Sequence, residues 1–158
     1  MNRKILAIST IVLLLDQLSK GLIDAFLNLG ETIPVIKNFF NIHYINNYGA
    51  AWSILEGKNY IIIAFTFVAL IIIYRYMYSF KRNKRNNIAF GLLTGGIVGN
   101  LIDRVFFGHV RDFFEFNIFG YDFPIFNISD IAIVLGIFLL IIAIFKGEDE
   151  RDKNTSRK

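Results

Sequence analysis

"NYIIIAFTFVALIIIYRYMY", residues 59–78, decides the fold. No charged side chain falls between Asn59 and Tyr74, and most of the run is isoleucine, phenylalanine and other apolar residues. A helix of about 20 largely apolar residues crosses the hydrocarbon core of a bilayer, so the stretch predicts a membrane span. Tyr60, Tyr74, Tyr76 and Tyr78 flank it, where amphipathic rings favour the membrane–water boundary. The whole chain agrees with this reading. Of its 158 residues 54% are apolar and only 19% charged, with 17 Phe, a composition foreign to soluble domains.

Three further segments carry the pattern outward. Residues 5–27 are apolar apart from Ser9, Thr10, Gln17, Ser19 and the charged Asp16, Lys20 and Asp24. Residues 87–107 are rich in glycine and end on polar groups, and residues 128–146 are almost wholly apolar. The spacing predicts an α-helical integral membrane protein, residues 1–146 forming one membrane domain with four transmembrane helices. Arg3 and Lys4 precede the first span, and "KRNKRNN" (81–87) joins the second to the third with no acid. Basic residues collect on the cytoplasmic side, which places both termini and this loop there. The polar segment 147–158 is then a cytoplasmic tail, expected to be disordered. Two outer connections remain. Residues 30–57 mix β-branched and aromatic residues with partial alternation and predict short strands, a small extracytoplasmic β lobe. Residues 108–127, together with Phe106 and Phe107, hold a dense set of aromatics and are expected as a loop in the headgroup region.

Composition excludes several chemistries. With no Cys there is no thiol nucleophile, disulfide or cysteine metal site, and two histidines make a His-rich metal site improbable. No metal or cofactor is expected. The net charge of +4 gathers at segment ends, which suits membrane orientation and not nucleic-acid binding.

Polar residues inside a bilayer are costly and are paired, cavity-facing or functional. Asp16 and Lys20 stand one helical turn apart and are expected to neutralise each other as a packing pair. In the third span Gly96, Asn100 and Asp103 share a face, with Arg104 one turn from Asn100. Gly91, Gly95 and Gly99 repeat at the small-xxx-small spacing that lets helices approach closely. In "NNYGAAW" (46–52) Asn47 offers donor and acceptor beside Gly49, either as a turn or as a place of close backbone approach. In "FNISD" (126–130) Asn127 or Ser129 suits a helix N-cap, and Asp130 suits the positive first turn. Four acids lie in the outer stretch: Asp112, Glu115, Asp122 and Asp130. Two close carboxylates share a proton, and one can activate water while the other polarises a carbonyl. Residue chemistry leaves the choice of pair open.

The motifs "DQLSK" (16–20), "NYGAAW" (47–52), "GGIVGNLIDR" (95–104), "VRDFF" (110–114) and "FNISD" (126–130), in this order on four spans, resemble those of the lipoprotein signal peptidase family, signal peptidase II. The resemblance covers nearly all the chain except the tail. It implies four helices with a small outer β-sheet lobe in the bacterial cytoplasmic membrane. It implies an aspartic endopeptidase cutting before the lipidated cysteine of diacylglyceryl-modified prolipoproteins. The family's catalytic aspartates carry onto Asp112 and Asp130, and its supporting polar residues onto Asn47, Asn100, Arg104 and Asn127, with Asp16 and Lys20 in the first motif. Expected partners are lipidated prolipoprotein substrates and membrane lipid, with the enzyme a monomer and its site toward the outer leaflet. Ser129 stands where family members commonly have alanine, and its hydroxyl is expected to hydrogen-bond the dyad. The opposing class is a small channel or transporter subunit, in which the same polar residues line an ion path. Such a path needs polar groups at several depths, and the second span has no charge between Asn59 and Tyr74.

Overall fold

The structure, a computed structural model, describes residues 2–49 and 56–149. Its helices are α1 (Arg3–Phe26), α2 (Asn59–Tyr76), α3 (Lys84–Phe106) and α4 (Ile128–Phe145), each long and apolar enough to cross a membrane. Asn2 donates to Asn87, and the Lys81 N–H reaches the Glu148 carbonyl. The start of α1, the α2–α3 connection and the end of α4 therefore meet at one end. At the other, Asn59 of α2 donates to the Arg104 carbonyl of α3 at 2.8 Å.

The helices divide the work of packing. In α2 only Ile62 is buried, so its apolar surface faces outward all round, as a lipid-facing helix does. Leu14, Leu18 and Leu22 of α1 and Val134 and Phe138 of α4 are likewise exposed. The most buried helix is α3, and its glycines explain why. A methyl group on Gly95 would lie 2.8 Å from the Ser9 carbonyl oxygen, and one on Gly96 would lie 2.5 Å from that of Ser129. On Gly99 it would meet an Asp16 oxygen at 2.6 Å. Without side chains at these positions α1 and α4 close onto opposite flanks of α3, which is how helices associate where no hydrophobic effect drives them.

An antiparallel four-stranded sheet, in the order β1-β2-β3-β4, sits at the Arg104 end of the bundle. It consists of β1 (Thr32–Ile36), β2 (Phe40–Asn47), β3 (Val110–Ile118) and β4 (Tyr121–Asp122). The expected loop at 108–127 is therefore two strands. β3 pairs with β2 from Phe40↔Phe116 to Asn47↔Val110, across a bulge between Ile42 and Ile45. The alternation that signals a half-exposed strand is missing because Val110, Arg111, Asp112 and Phe113 are all buried. The rings of the stretch stack on one another, Phe116 on Phe40 at 4.7 Å and on Phe126 at 5.7 Å, instead of lying free in the headgroups. The outer lobe reaches beyond residues 30–57 accordingly, and residues 50–55 of that range lie outside the described residues. So does most of the tail, but Glu148 does not hang free. It accepts from Asn83 at 2.5 Å and pairs with Arg85.

Candidate active site

The approach to α4 brings the two outer acids together. Phe126 exchanges backbone hydrogen bonds with Phe114 of β3, at 2.8 and 3.1 Å. Chain pairing at this point puts Asn127 beside Asp112. Asn127 is the N-cap of α4, its Oδ1 accepting from the Asp130 N–H while the Asp130 carboxylate accepts the Asn127 N–H at 3.1 Å. This reciprocal capping box holds Asp130 at the helix mouth. The Asn127 Nδ2 then donates to Asp112 Oδ1 at 2.6 Å. One fully buried asparagine thus clamps both carboxylates, so Asp130 is both a capping residue and a neighbour of Asp112.

The remaining acids are engaged elsewhere. Glu115 accepts from Asn41 at 2.7 Å and meets His43 at 2.9 Å, and the His43 contact with Asn41's bond holds its carboxyl below the usual range. Asp122 accepts from Asn117 at the exposed hairpin. Of the four outer acids, only Asp112 and Asp130 share a partner among the described residues.

Each carboxylate has its own further donor. Asn47 Nδ2 reaches Asp112 Oδ2 at 2.9 Å, and its Oδ1 accepts from the Gly49 N–H. Asn47 faces Val110 in the register, so Asp112 is its diagonal neighbour on the same strand face. Asn100 Nδ2 reaches Asp130 Oδ1 at 2.8 Å. The orientation of the Asn100 amide is dictated by its other partners. Its Oδ1 accepts from Lys20 at 2.9 Å and from Asn127 at 3.1 Å, and an ammonium has no acceptor to offer in exchange. Asp112 is 1% exposed. Burial, and the Asp130 charge beside it, push its carboxyl up to about 7 against the pull of the Asn47 and Asn127 amides. Asp130 is partly exposed, so the pair opens to the surroundings on its side.

Arg104 touches neither carboxylate among the described residues. Its guanidinium donates to the Gly49 carbonyl at 3.1 Å, and with Asn47 it pins Gly49 from both sides. Gly49 is buried, and the Asn-x-Gly turn is the role it fills; Ala50 to Trp52 of the same motif lie outside the described residues. Ser129 departs from expectation. Its hydroxyl is buried with no hydrogen-bond partner, facing the space left by Gly99, and its backbone N–H donates to Asp16 at 3.0 Å.

Asp16 and Lys20 pair at 2.9 Å, but not in isolation. Lys20 also meets Asp103 at 3.3 Å, and Asp103 pairs with Arg111 at 2.8 Å. Arg111 goes on to Asp24 at 2.6 Å and Gln17 at 3.2 Å, with its guanidinium 4.5 Å above the Phe107 ring. Asp24 accepts a further hydrogen bond from Tyr44 of β2. This network ties α1, α3 and both central strands together behind the acid pair. Arg111, Gln17, Asp24, Tyr44 and Asn59 are contributors that the sequence did not single out. Asp16, Lys20 and Asp24 do recur at helical spacing, a signal for the third acid. For Arg111 the signal is only its place beside Asp112, since adjacent strand residues point to opposite faces.

The geometry defines a membrane protein whose paired carboxylates sit at one end of a four-helix bundle under a small sheet. Residues 8–146 match the family model of signal peptidase (SPase) II. The chain is 40% identical over 148 residues to a lipoprotein signal peptidase of Staphylococcus haemolyticus, covering 93% of this chain and 94% of that one. It is also 40% identical to one of Staphylococcus aureus over 92% of this chain and 91% of the relative. A bacterial membrane enzyme solved by the in meso method at 2.3 Å resolution superposes with a TM-score of 0.80 at 40% identity, covering 94% of this chain and 92% of that one. A second, at 1.9 Å resolution, gives 0.75 at 41% identity over 90% and 92%. The chain belongs to the signal peptidase II family and is an aspartic-type peptidase. The channel reading is not favoured: Asp16, Lys20 and Asp24 of α1 and Asp103 of α3 are consumed in pairs with one another and with Arg111.

Proposed function

We propose that Asp112 and Asp130 are the catalytic dyad of a prolipoprotein signal peptidase that cuts before the diacylglyceryl-modified cysteine. The observation that carries this is the Asn127 clamp, which holds two acids from distant elements side by side at the end of the bundle. With one proton between them, the ionised carboxylate takes a proton from water as it attacks the scissile carbonyl. The protonated one polarises that carbonyl and later protonates the leaving amine. No covalent intermediate forms. The pair titrates as a unit. Asn47, Asn100 and Asn127 hold the carboxylates in place, while Arg104 fixes the Gly49 backbone next to the site. The exposed leucines and phenylalanines of the helices lie where an acyl-bearing substrate arrives from the bilayer, since lipid chains bury against apolar surface. Both termini lie in the cytoplasm and the dyad toward the outer leaflet of the bacterial cell membrane, a reading supported by the basic α2–α3 loop, since basic residues collect on the cytoplasmic side. The enzyme acts as a monomer, without metal or cofactor.

The reading is tested with purified protein in detergent and a prolipoprotein prepared with and without its diacylglyceryl group. Cleavage of the lipidated form alone, leaving the modified cysteine as the new N-terminus, is expected. Equal cleavage of the unmodified precursor would remove the lipid from the mechanism.

A further inference from the structure

Donor counts alone do not decide which of the two carboxyls holds the shared proton. Asp112 accepts from the Asn47 and Asn127 amides, and Asp130 accepts from the Asn100 amide and the Asn127 N–H. The surroundings are unequal. Asp130 lies in the first turn of α4, where the positive end of the helix stabilises a carboxylate. Asp112 lies within β3, and strands carry only small net dipoles. Asp112 is also 1% exposed, whereas Asp130 is partly exposed, and an unscreened charge is costlier the drier its site.

A cation stands behind the donor that reaches Asp130. Lys20 is fully buried, and its ammonium donates to Asn100 Oδ1 at 2.9 Å while Asn100 Nδ2 donates to Asp130 Oδ1. The ammonium only donates, so it fixes the amide with its N–H toward Asp130 and polarises it in that direction. Asn47 has no such backing, since its Oδ1 accepts from the neutral Gly49 N–H. Around the pair, among the described residues, α1 contributes Asp16, Lys20 and Asp24, α3 contributes Asp103 and Arg104, and β3 contributes Arg111. Three cations balance three carboxylates there. The charge of the pair itself is therefore placed by these local differences.

We propose that the resting pair keeps its proton on Asp112 and its charge on Asp130, with Lys20 a positioning residue that holds it so through Asn100. This rests on the dyad reading and divides the work within it. Asp130, on the side that opens to the surroundings, takes a proton from water as the water oxygen bonds to the scissile carbonyl carbon. Asp112 polarises the carbonyl oxygen and gives its proton to the amine nitrogen as the C–N bond breaks. Transfer of one proton from Asp130 to Asp112 then restores the pair.

The test uses the full parent chain in detergent, made with carbon-13 aspartate. It reads the side-chain carboxyl shifts of Asp112 and Asp130 by NMR, each assigned through its own β-carbon. At about pH 6, Asp112 is expected at the carboxylic-acid position and Asp130 at the carboxylate position. The reverse order, or two equal intermediate shifts, would overturn the proposal. Lys20→Gln keeps a donor for Asn100 and removes the charge. The acid limb of its turnover profile should move to higher pH by at least about half a unit, a loss of about threefold on that limb. An unmoved limb with uniformly lower turnover would make Lys20 structural only and overturn its part. The carboxyl shifts need no variant, so a folding defect in Lys20→Gln leaves them decisive. Turnover of Asp112→Asn and Asp130→Asn tests the dyad itself, so the two readings fail separately.

Discussion

Asn127 shows how one side chain serves fold and site together. Its Oδ1 and N–H cap α4, while its Nδ2 holds Asp112. The roles separate in Asn127→Ser, because serine is a good N-cap but has no second donor to send to Asp112. Thermal stability should move by less than about 1 kcal/mol, while kcat falls at least about tenfold through lost alignment of the dyad. A parallel loss of both, measured by unfolding and turnover on the same preparation, would reduce Asn127 to a cap. Asp112 gives a second prediction at this scale. Its pKa in the fold is about 7, above the ordinary 3.8. Between those values the folded chain keeps a proton that the unfolded chain has lost, so this group's contribution to stability declines as pH rises from about 4 to about 7. Asp112→Asn removes that decline. The stability difference, variant minus parent, should become more positive between pH 5 and pH 8, by up to about 3 kcal/mol. Turnover by the parent should trace a bell, with its alkaline limb near pH 7 as the shared proton is lost. A flat profile from about pH 4 to 9 would contradict a shared proton.

Among the elements, α3 decides the arrangement. Its glycines admit α1 on one flank and α4 on the other, and α4 carries Asp130. Gly96→Ala forces a methyl group to within 2.5 Å of the Ser129 carbonyl oxygen, one residue before Asp130. Activity should drop at least about tenfold as α4 is displaced, whereas Gly21→Ala, which meets nothing within 4 Å, should be silent in the same assay. The four helices were legible because length and apolarity suffice to define a span. The observed boundaries differ from the expected ones by up to three residues, as in α3, which begins at Lys84 because Asn83 caps it. The strands at 110–122 were not legible. Arg111 and Asp112 are polar on both faces of β3, and each is buried by a partner far along the chain, so no local period could reveal them. The glycine seam was readable as spacing, but which helix each glycine faced was not. Asn127 was legible as a cap and, through family resemblance, as a supporting residue; that it holds both acids follows only from Phe126 pairing with Phe114.

Across the whole molecule, a chain of ion pairs, buried from Asp16 through Lys20 and Asp103 to Arg111 and ending on the exposed Asp24, joins bundle and sheet. Lys20 and Asp103 are fully buried, so removing one partner strands the others. Lys20→Met should destabilise the protein by about 3–5 kcal/mol. It also withdraws the ammonium that orients Asn100, so the residual folded enzyme should be slow as well. Unfolding in detergent that shows a cost below about 1 kcal/mol would mean that the network is solvated and not structural. The central claim is that Asp112 and Asp130 act as one catalytic pair, and it is tested most directly by gel-mobility cleavage of a lipidated prolipoprotein. Parent, Asp112→Asn and Asp130→Asn enzymes would be compared at equal folded concentration. The account predicts cleavage by the parent and loss of at least about three orders of magnitude in both variants, as expected when either member of a unit is removed. Near-parental cleavage by Asp130→Asn would leave Asp130 as a helix cap alone and contradict the dyad.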